Sequence, residues 1–168
     1  MSRGALETIE FETPTGPFIL TFDGPRLIGT GWPALGAEFK HGASPTHDGV
    51  RQAIRRKFET YFKCGRVTSG FKEFETPVGT AFQTACWREA RLIEAGTSRS
   101  YGWIAQRLGR PKAARAVGQA MRANPMPIVV PCHRVVGLAP GSGGFSGSTG
   151  QSLGMRIKRK LLELEQPT

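Results

Sequence analysis

No run of apolar residues in this chain is long enough to span a bilayer, which excludes a membrane-spanning helix, and no membrane partner is expected. An apolar leader is missing too. Glu7, Glu10 and Glu12 stand where a secretory signal would need one, so export is not expected. Cysteines number only three, an odd count that argues for reduced thiols in a cytoplasmic or nuclear compartment rather than a disulfide frame. His41 and His47 lie without a Cys or carboxylate cluster at ligand spacing, so no metal site is expected. Repetition is absent as well: Phe11-Glu-Thr-Pro-Thr-Gly16 is echoed by Phe74-Glu-Thr-Pro-Val-Gly79, but nothing around either copy repeats. Acidic side chains are scarce, 13 against 23 Lys and Arg, for a net charge of +10.

That charge is unevenly placed. Residues 1–84 carry ten basic and nine acidic side chains; residues 85–168 carry thirteen and four. A basic half of this kind suits a phosphate-facing surface, an acidic protein partner or a plain solvated face. A chain of 168 residues, 39% hydrophobic, fits one domain or two small ones sharing an interface.

The first third reads as a small sheet. Phe18–Phe22 and Leu27–Trp32 flank a turn at Asp23-Gly24-Pro25, and a preceding strand is expected over Leu6–Phe11. Residues 36–49 read as loop. A helix follows, with Val50, Ile54, Phe58 and Tyr61 on its buried stripe and Arg51, Arg55 and Arg56 away from it, ending near Gly65. Cys64, beside that stop, reads as structural.

In the second half Thr80-Ala-Phe-Gln83 fits a capping box that opens a helix ending at Gly96. Phe82, Cys86, Ala90 and Ile93 form its inner stripe, which makes Cys86 a small core residue rather than a nucleophile. Ser100–Gly109 and Pro111–Arg122 then form a helix-turn-helix. The second helix is nearly all small residues: Ala113, Ala114, Ala116, Gly118 and Ala120. Such a helix packs closely on another helix or, with Lys112, Arg115 and Arg122, presses into a DNA groove. On the last helix Leu153, Ile157, Leu161 and Glu165 share a face; Glu165 ends the helix in water or is held inside by a partner.

Between these lies Asn124-Pro-Met-Pro-Ile-Val-Val-Pro-Cys-His-Arg-Val-Val136. Pro125, Pro127 and Pro131 stiffen it, Ile128–Val130 reads as a short buried strand, and Cys132 and His133 are delivered to a fixed point. A helical turn opened by Pro131 would bring amides to Cys132 that favour its thiolate. On a strand His133 would face away from Cys132, so it serves the thiol only if the backbone turns there or a water bridges them. The plain alternative is a core cysteine beside a surface histidine. After it, residues 137–150 are rich in glycine and serine, a flexible linker or a loop that wraps a ligand with its backbone.

Pro131-Cys-His-Arg-Val135, preceded by Arg115-Ala-Val-Gly-Gln-Ala-Met-Arg-Ala-Asn-Pro-Met-Pro127, resembles the signature of the methylated-DNA–protein-cysteine methyltransferases. The match is dense from about Pro77 to Gly147 and returns at Leu161–Glu165. The resemblance implies an α+β protein. A small N-terminal antiparallel-sheet and helix domain (1–75) precedes a mainly helical, winged-helix-like domain (76–168) that binds DNA. It implies an enzyme that acts once, moving a methyl or larger alkyl group from the 6-oxygen of guanine, or the 4-oxygen of thymine, to Cys132. No cofactor is implied.

Under that resemblance His133 activates Cys132 through a water, Glu165 orients His133, and Asn124 shapes the site. Tyr101, Val135 and Ser146 meet the base, and Arg115 enters the stack when the nucleotide is rotated out. Lys112, Arg122, Ala114 and Gly118 lie against double-stranded DNA. The protein is expected to be a monomer, cytoplasmic or associated with the nucleoid or nucleus. Phe145 and Ser148 replace the usual tyrosine and glycine, and the loop before the last helix is longer than the common pattern. Three rivals remain: a lesion-binding relative without transfer activity, which lacks the acceptor cysteine; a cysteine hydrolase that turns over many times; and a sequence-specific helix-turn-helix regulator.

Overall fold

A computed structural model describes residues 6–37, 48–138, 144–145 and 152–167. Strands β1 (Glu7–Phe11), β2 (Phe18–Asp23) and β3 (Arg26–Gly31) form an antiparallel sheet in that order. The turn between β2 and β3 uses Gly24 in a left-handed conformation (φ 59°), which closes a tight hairpin at little steric cost. Along β2 the alternate residues Phe18, Leu20 and Phe22 turn one face to the core, and Ile19 on the other face is buried as well.

Helix α1 (Asp48–Cys64) covers that face. Its Phe58 and Phe62 rings lie 5.8 and 5.0 Å from Phe18, and Trp32 stacks edge-on to Phe18 at 4.8 Å. The helix is rotated from the stripe the sequence suggests. Val50 is exposed, whereas Arg51 is buried with Phe58, Tyr61 and Phe62. The cause is the sheet it packs on: Arg51 ion-pairs with Glu7 and donates to the Gly24 carbonyl at 2.9 and 3.0 Å, so its charge is matched inside. Gly65 (φ 72°) stops the helix as expected, and a side chain there would collide with the Leu164 carbonyl. Cys64 is exposed and supports no core, contrary to its structural reading.

Helix α2 (Ala81–Ala90) opens with the expected capping box, Thr80 and Gln83 each satisfying the other's backbone amide. It ends at Ala90, short of Gly96, and the chain continues in turns that still bury Ile93. Trp87 joins Cys86 in the interior and donates from its indole to the Ala120 carbonyl at 2.8 Å. Strand β4 (Arg99–Ser100) pairs in parallel with β5 (Val135–Val136). Helix α3 (Tyr101–Arg107) is capped by Ser100, which accepts from Trp103 N–H. Helix α4 (Ala114–Arg122) begins three residues later than expected, because an Ala113 N–H to Arg110 carbonyl bond closes a turn first. Helix α5 (Leu153–Leu164) buries Gly154, Ile157, Lys158 and Leu161, while Leu153 is partly exposed.

The buried residues form one cluster running from Phe11 on β1 to Leu161 on α5. Each fully buried Phe or Leu in it is worth roughly 1.5–3 kcal/mol relative to exposure. That continuity fixes α1 and the sheet against the C-terminal helices. Among the described residues no helix is long and apolar enough to cross a membrane.

Candidate active site

The approach to Cys132 is not a strand. Ile128 has φ 77°, a conformation that costs a β-branched residue of order 1–3 kcal/mol, and Val130 N–H turns back to the Met126 carbonyl at 2.9 Å. Pro125, Pro127 and Pro131 lack the amides a ladder would need, so other groups hold the segment. Thr30 on β3 donates its N–H to the Pro125 carbonyl (3.1 Å) and its hydroxyl to the Pro127 carbonyl (2.6 Å). Asn124, just past α4, accepts from Met126 N–H at 2.9 Å and donates to the Val130 carbonyl at 2.9 Å. The same Nδ2 lies 3.2 Å from Cys132 Sγ.

Cys132–Arg134 forms a single 3-10 turn, so three consecutive side chains fan apart instead of alternating. His133 Nε2 is 2.8 Å from Glu165 Oε1 and 3.3 Å from the Tyr61 hydroxyl. Glu165 is fully buried at the end of α5. Its Oε1 accepts from the Tyr61 hydroxyl (2.6 Å) and Arg134 Nη2 (2.8 Å), and its Oε2 from Arg134 Nε (2.9 Å) and Gly96 N–H (3.4 Å). A carboxylate only accepts, so Nε2 carries the imidazole proton and the Nδ1 lone pair is free. Nδ1 is buried and has no hydrogen-bond partner among the described residues.

Beside this relay, Lys158 donates to the Val135 carbonyl at 2.6 Å and the Gly144 carbonyl at 3.3 Å, with its ammonium 5.9 Å from the Tyr101 ring centre. The Tyr101 hydroxyl also reaches the Gly144 carbonyl, at 3.4 Å. Tyr101 and Val135 therefore share one wall. Ser146 and Ser148 lie outside the described residues, as do His41 and His47. Phe145 is buried edge-on to Trp32 at 5.7 Å.

Helix α4 presents two faces. Val117, Ala120 and Met121 are buried; Arg115, Ala116, Gln119 and Arg122 are exposed. Gly118 sits against the Tyr101 ring, Ala114 is half-buried, and exposed Lys112 belongs to the turn before the helix. The inner small residues pack on α2 and α3, as one of the two sequence readings has it, and the outer ones leave a low, basic surface.

A family model for the DNA-binding domain of 6-O-methylguanine DNA methyltransferase matches residues 81–167. A methylated-DNA–protein-cysteine methyltransferase of Methanosarcina acetivorans is 39% identical over 158 residues, 92% of this chain and 95% of that one. The chain belongs to this family. A Haemophilus influenzae member is 43% identical over 117 residues, 70% of this chain but 62% of the relative's own length. The Mycobacterium tuberculosis OGT, solved in complex with DNA, superposes with TM-score 0.66 at 37% identity, covering 96% of this chain and 92% of that one.

For a member of the methyltransferase family the electrostatics of this site are informative. Burial pushes the Cys132 thiol up, opposed by the Asn124 hydrogen bond and the Lys158 charge. Burial lowers His133, partly offset by Glu165, so the imidazole rests neutral. Burial also works against the Glu165 charge, but His133 and Arg134 outweigh it and hold the carboxyl well below its usual range. Sequence reasoning overlooked Arg134, Lys158 and Tyr61. Arg134 stands inside the Pro-Cys-His-Arg-Val motif, and Lys158 falls on the α5 stripe between Gly154 and Leu161, so both carried a signal. Tyr61 reads from the sequence only as a core aromatic.

Proposed function

We propose that this protein repairs alkylated guanine in double-stranded DNA by direct reversal, spending Cys132 on each alkyl group removed. The observation that carries this reading is a buried thiol, hydrogen-bonded by Asn124, followed directly in the chain by a buried neutral imidazole that a carboxylate holds. The carboxylate at Nε2 of that imidazole leaves Nδ1 available as a base. Nδ1 takes the thiol proton through a bridging water, and Glu165 stabilises the imidazolium that forms. The thiolate attacks the alkyl carbon; the S–C bond forms as the C–O bond breaks, and the electron pair goes to the guanine 6-oxygen. The base then takes up one proton as its ring returns to the keto form. Tyr101, at the wall shared with Val135 and the Gly144 carbonyl, donates to the base as that charge develops.

A thioether is a very poor leaving group, so Cys132 is not regenerated. Reaching the 6-oxygen requires the nucleotide to leave the stack, at an unstacking cost of about a few kcal/mol. The exposed face of α4 supports this role: Arg115 fills the gap, Ala114 and Gly118 let the backbone approach the groove, and Lys112 and Arg122 meet phosphates. Residues 76–168 act as the DNA-binding unit, residues 1–75 as its support, and the protein works as a cytoplasmic monomer. Titration with a duplex carrying one O6-methylguanine tests this. Repair should stop at one lesion per protein molecule; continued turnover would make it a hydrolytic enzyme, and binding without repair a lesion sensor.

A further inference from the structure

Tyr61 sits in the N-terminal half, on α1, yet its hydroxyl lies at the centre of the relay, 2.6 Å from Glu165 Oε1 and 3.3 Å from His133 Nε2. Its side chain is 1% exposed, and edge-on contacts with Phe62 (5.4 Å) and Phe71 (5.8 Å) fix its ring. Core tyrosines usually send the hydroxyl to a backbone carbonyl or to solvent. This one instead crosses to a buried carboxylate 104 positions away in the chain. Helix α1 is held there by the close approach of Gly65 to the Leu164 carbonyl and by Arg66, which donates to the Glu165 carbonyl at 3.2 Å.

We propose that Tyr61 is a positioning residue for alkyl transfer, supplied by the N-terminal half: its hydroxyl donates to Glu165 Oε1 and sets both the aim and the basicity of the carboxylate that holds His133. The proposal rests on the relay reading of Cys132, His133 and Glu165. Three donors share Oε1: His133, Arg134 and Tyr61. Each weakens the pull of the carboxylate on the other two. With Tyr61 in place His133 keeps its proton on Nε2 without being drawn into the charged form at rest, and Nδ1 remains a base. The charged and titratable groups around the relay come from every packed element: Tyr61 and Arg66 from α1 and its end, Cys132 and Arg134 from the 3-10 turn, Lys158 and Glu165 from α5. Among the described residues only Tyr61 and Arg134 share Oε1 with His133, and Arg134 is already committed to both carboxylate oxygens and to the Ile93 carbonyl at 2.6 Å.

The test is Tyr61→Phe, which keeps the ring packing and removes one oxygen. Two readouts are taken on folded, full-length protein. The first is nitrogen NMR of the imidazoles; with three histidines in the chain, His133 is assigned by its loss in His133→Gln. Loss of the hydroxyl makes Glu165 a stronger acceptor, so His133 should titrate at a higher pH than in the unaltered protein. An unchanged His133 titration and tautomer overturn the proposal whether or not the protein transfers alkyl groups. The second is the single-turnover repair rate. It should fall about tenfold at neutral pH, the scale of one hydrogen bond to a buried charge, with the acid limb of its profile moved upward. In a Glu165→Gln background Tyr61→Phe should slow repair no further, since the two act through one group. Multiplying losses would mean that Tyr61 acts by packing alone. No repair by the unaltered protein would instead sink the relay reading while the imidazole titration still judged Tyr61.

Discussion

Two thiols are buried in this molecule, and only one has polar company. Cys86 lies on α2 at 0% exposure among Trp87, Ala90 and the apolar interior, and burial pushes its thiol up to about 11. Cys132 is nearly as buried, at 5% exposure, and burial raises its thiol too. Around Cys132, however, stand the Asn124 amide, the Lys158 ammonium and an imidazole backed by a carboxylate. Dryness alone makes a sulfur inert. A nucleophile needs dryness plus groups arranged to receive its proton and steady its charge.

The contrast breaks most completely at the sulfurs themselves. Cys132→Ser should abolish detectable transfer, whereas Cys86→Ser should leave the single-turnover rate intact and lower stability by about 1–3 kcal/mol, the penalty for a buried unpaired hydroxyl, read in urea melts. Next in size is the base: His133→Ala should slow repair by about 10²–10⁴-fold, the usual share of a general base, with DNA binding retained in a gel-shift titration. Asn124→Ala removes the amide beside Sγ and should slow repair by roughly tenfold, at about the strength of a hydrogen bond to a charged group. Arg115→Ala should lower repair of duplex DNA much more than reaction with the free methylated base. Equal losses on both substrates would take Arg115 out of the nucleotide-flipping role.

Acid supplies the smallest and most diffuse effect. Burial lowers His133 below its ordinary 6.5, so as pH falls through that value the unfolded chain takes its proton before the folded one, and stability drops. The Glu165 carboxyl is depressed as well; its contribution is present above the ordinary 4.5 and is lost as pH falls further below it. Urea melts from neutral pH down to about pH 2 should show stability declining in both windows, with the upper one missing in His133→Gln.

Much of this was legible in the sequence where local rules act. The hairpin at Gly24, the capping box at Thr80, the stop at Gly65 and the inward Cys86 all follow from residue type and spacing. Local rules failed where distant groups decide. Arg51 reads as a surface charge until Glu7 and the Gly24 carbonyl come to meet it. Ile128–Val130 reads as a strand until three prolines and the Asn124 side chain take the backbone elsewhere. For Glu165, periodicity left two orientations open, and the resemblance placed it inside. Tyr61 could not be found this way, because its partner lies at the other end of the chain and its apolar neighbours explain its burial equally well.

The most direct test of the account is peptide mass mapping after reaction with a duplex carrying one O6-methylguanine. The account predicts a gain of one methyl group on the peptide holding Cys132, none on the peptides holding Cys64 or Cys86, and an equal loss of lesion from the DNA. Disappearance of the lesion with Cys132 recovered unmodified would contradict it.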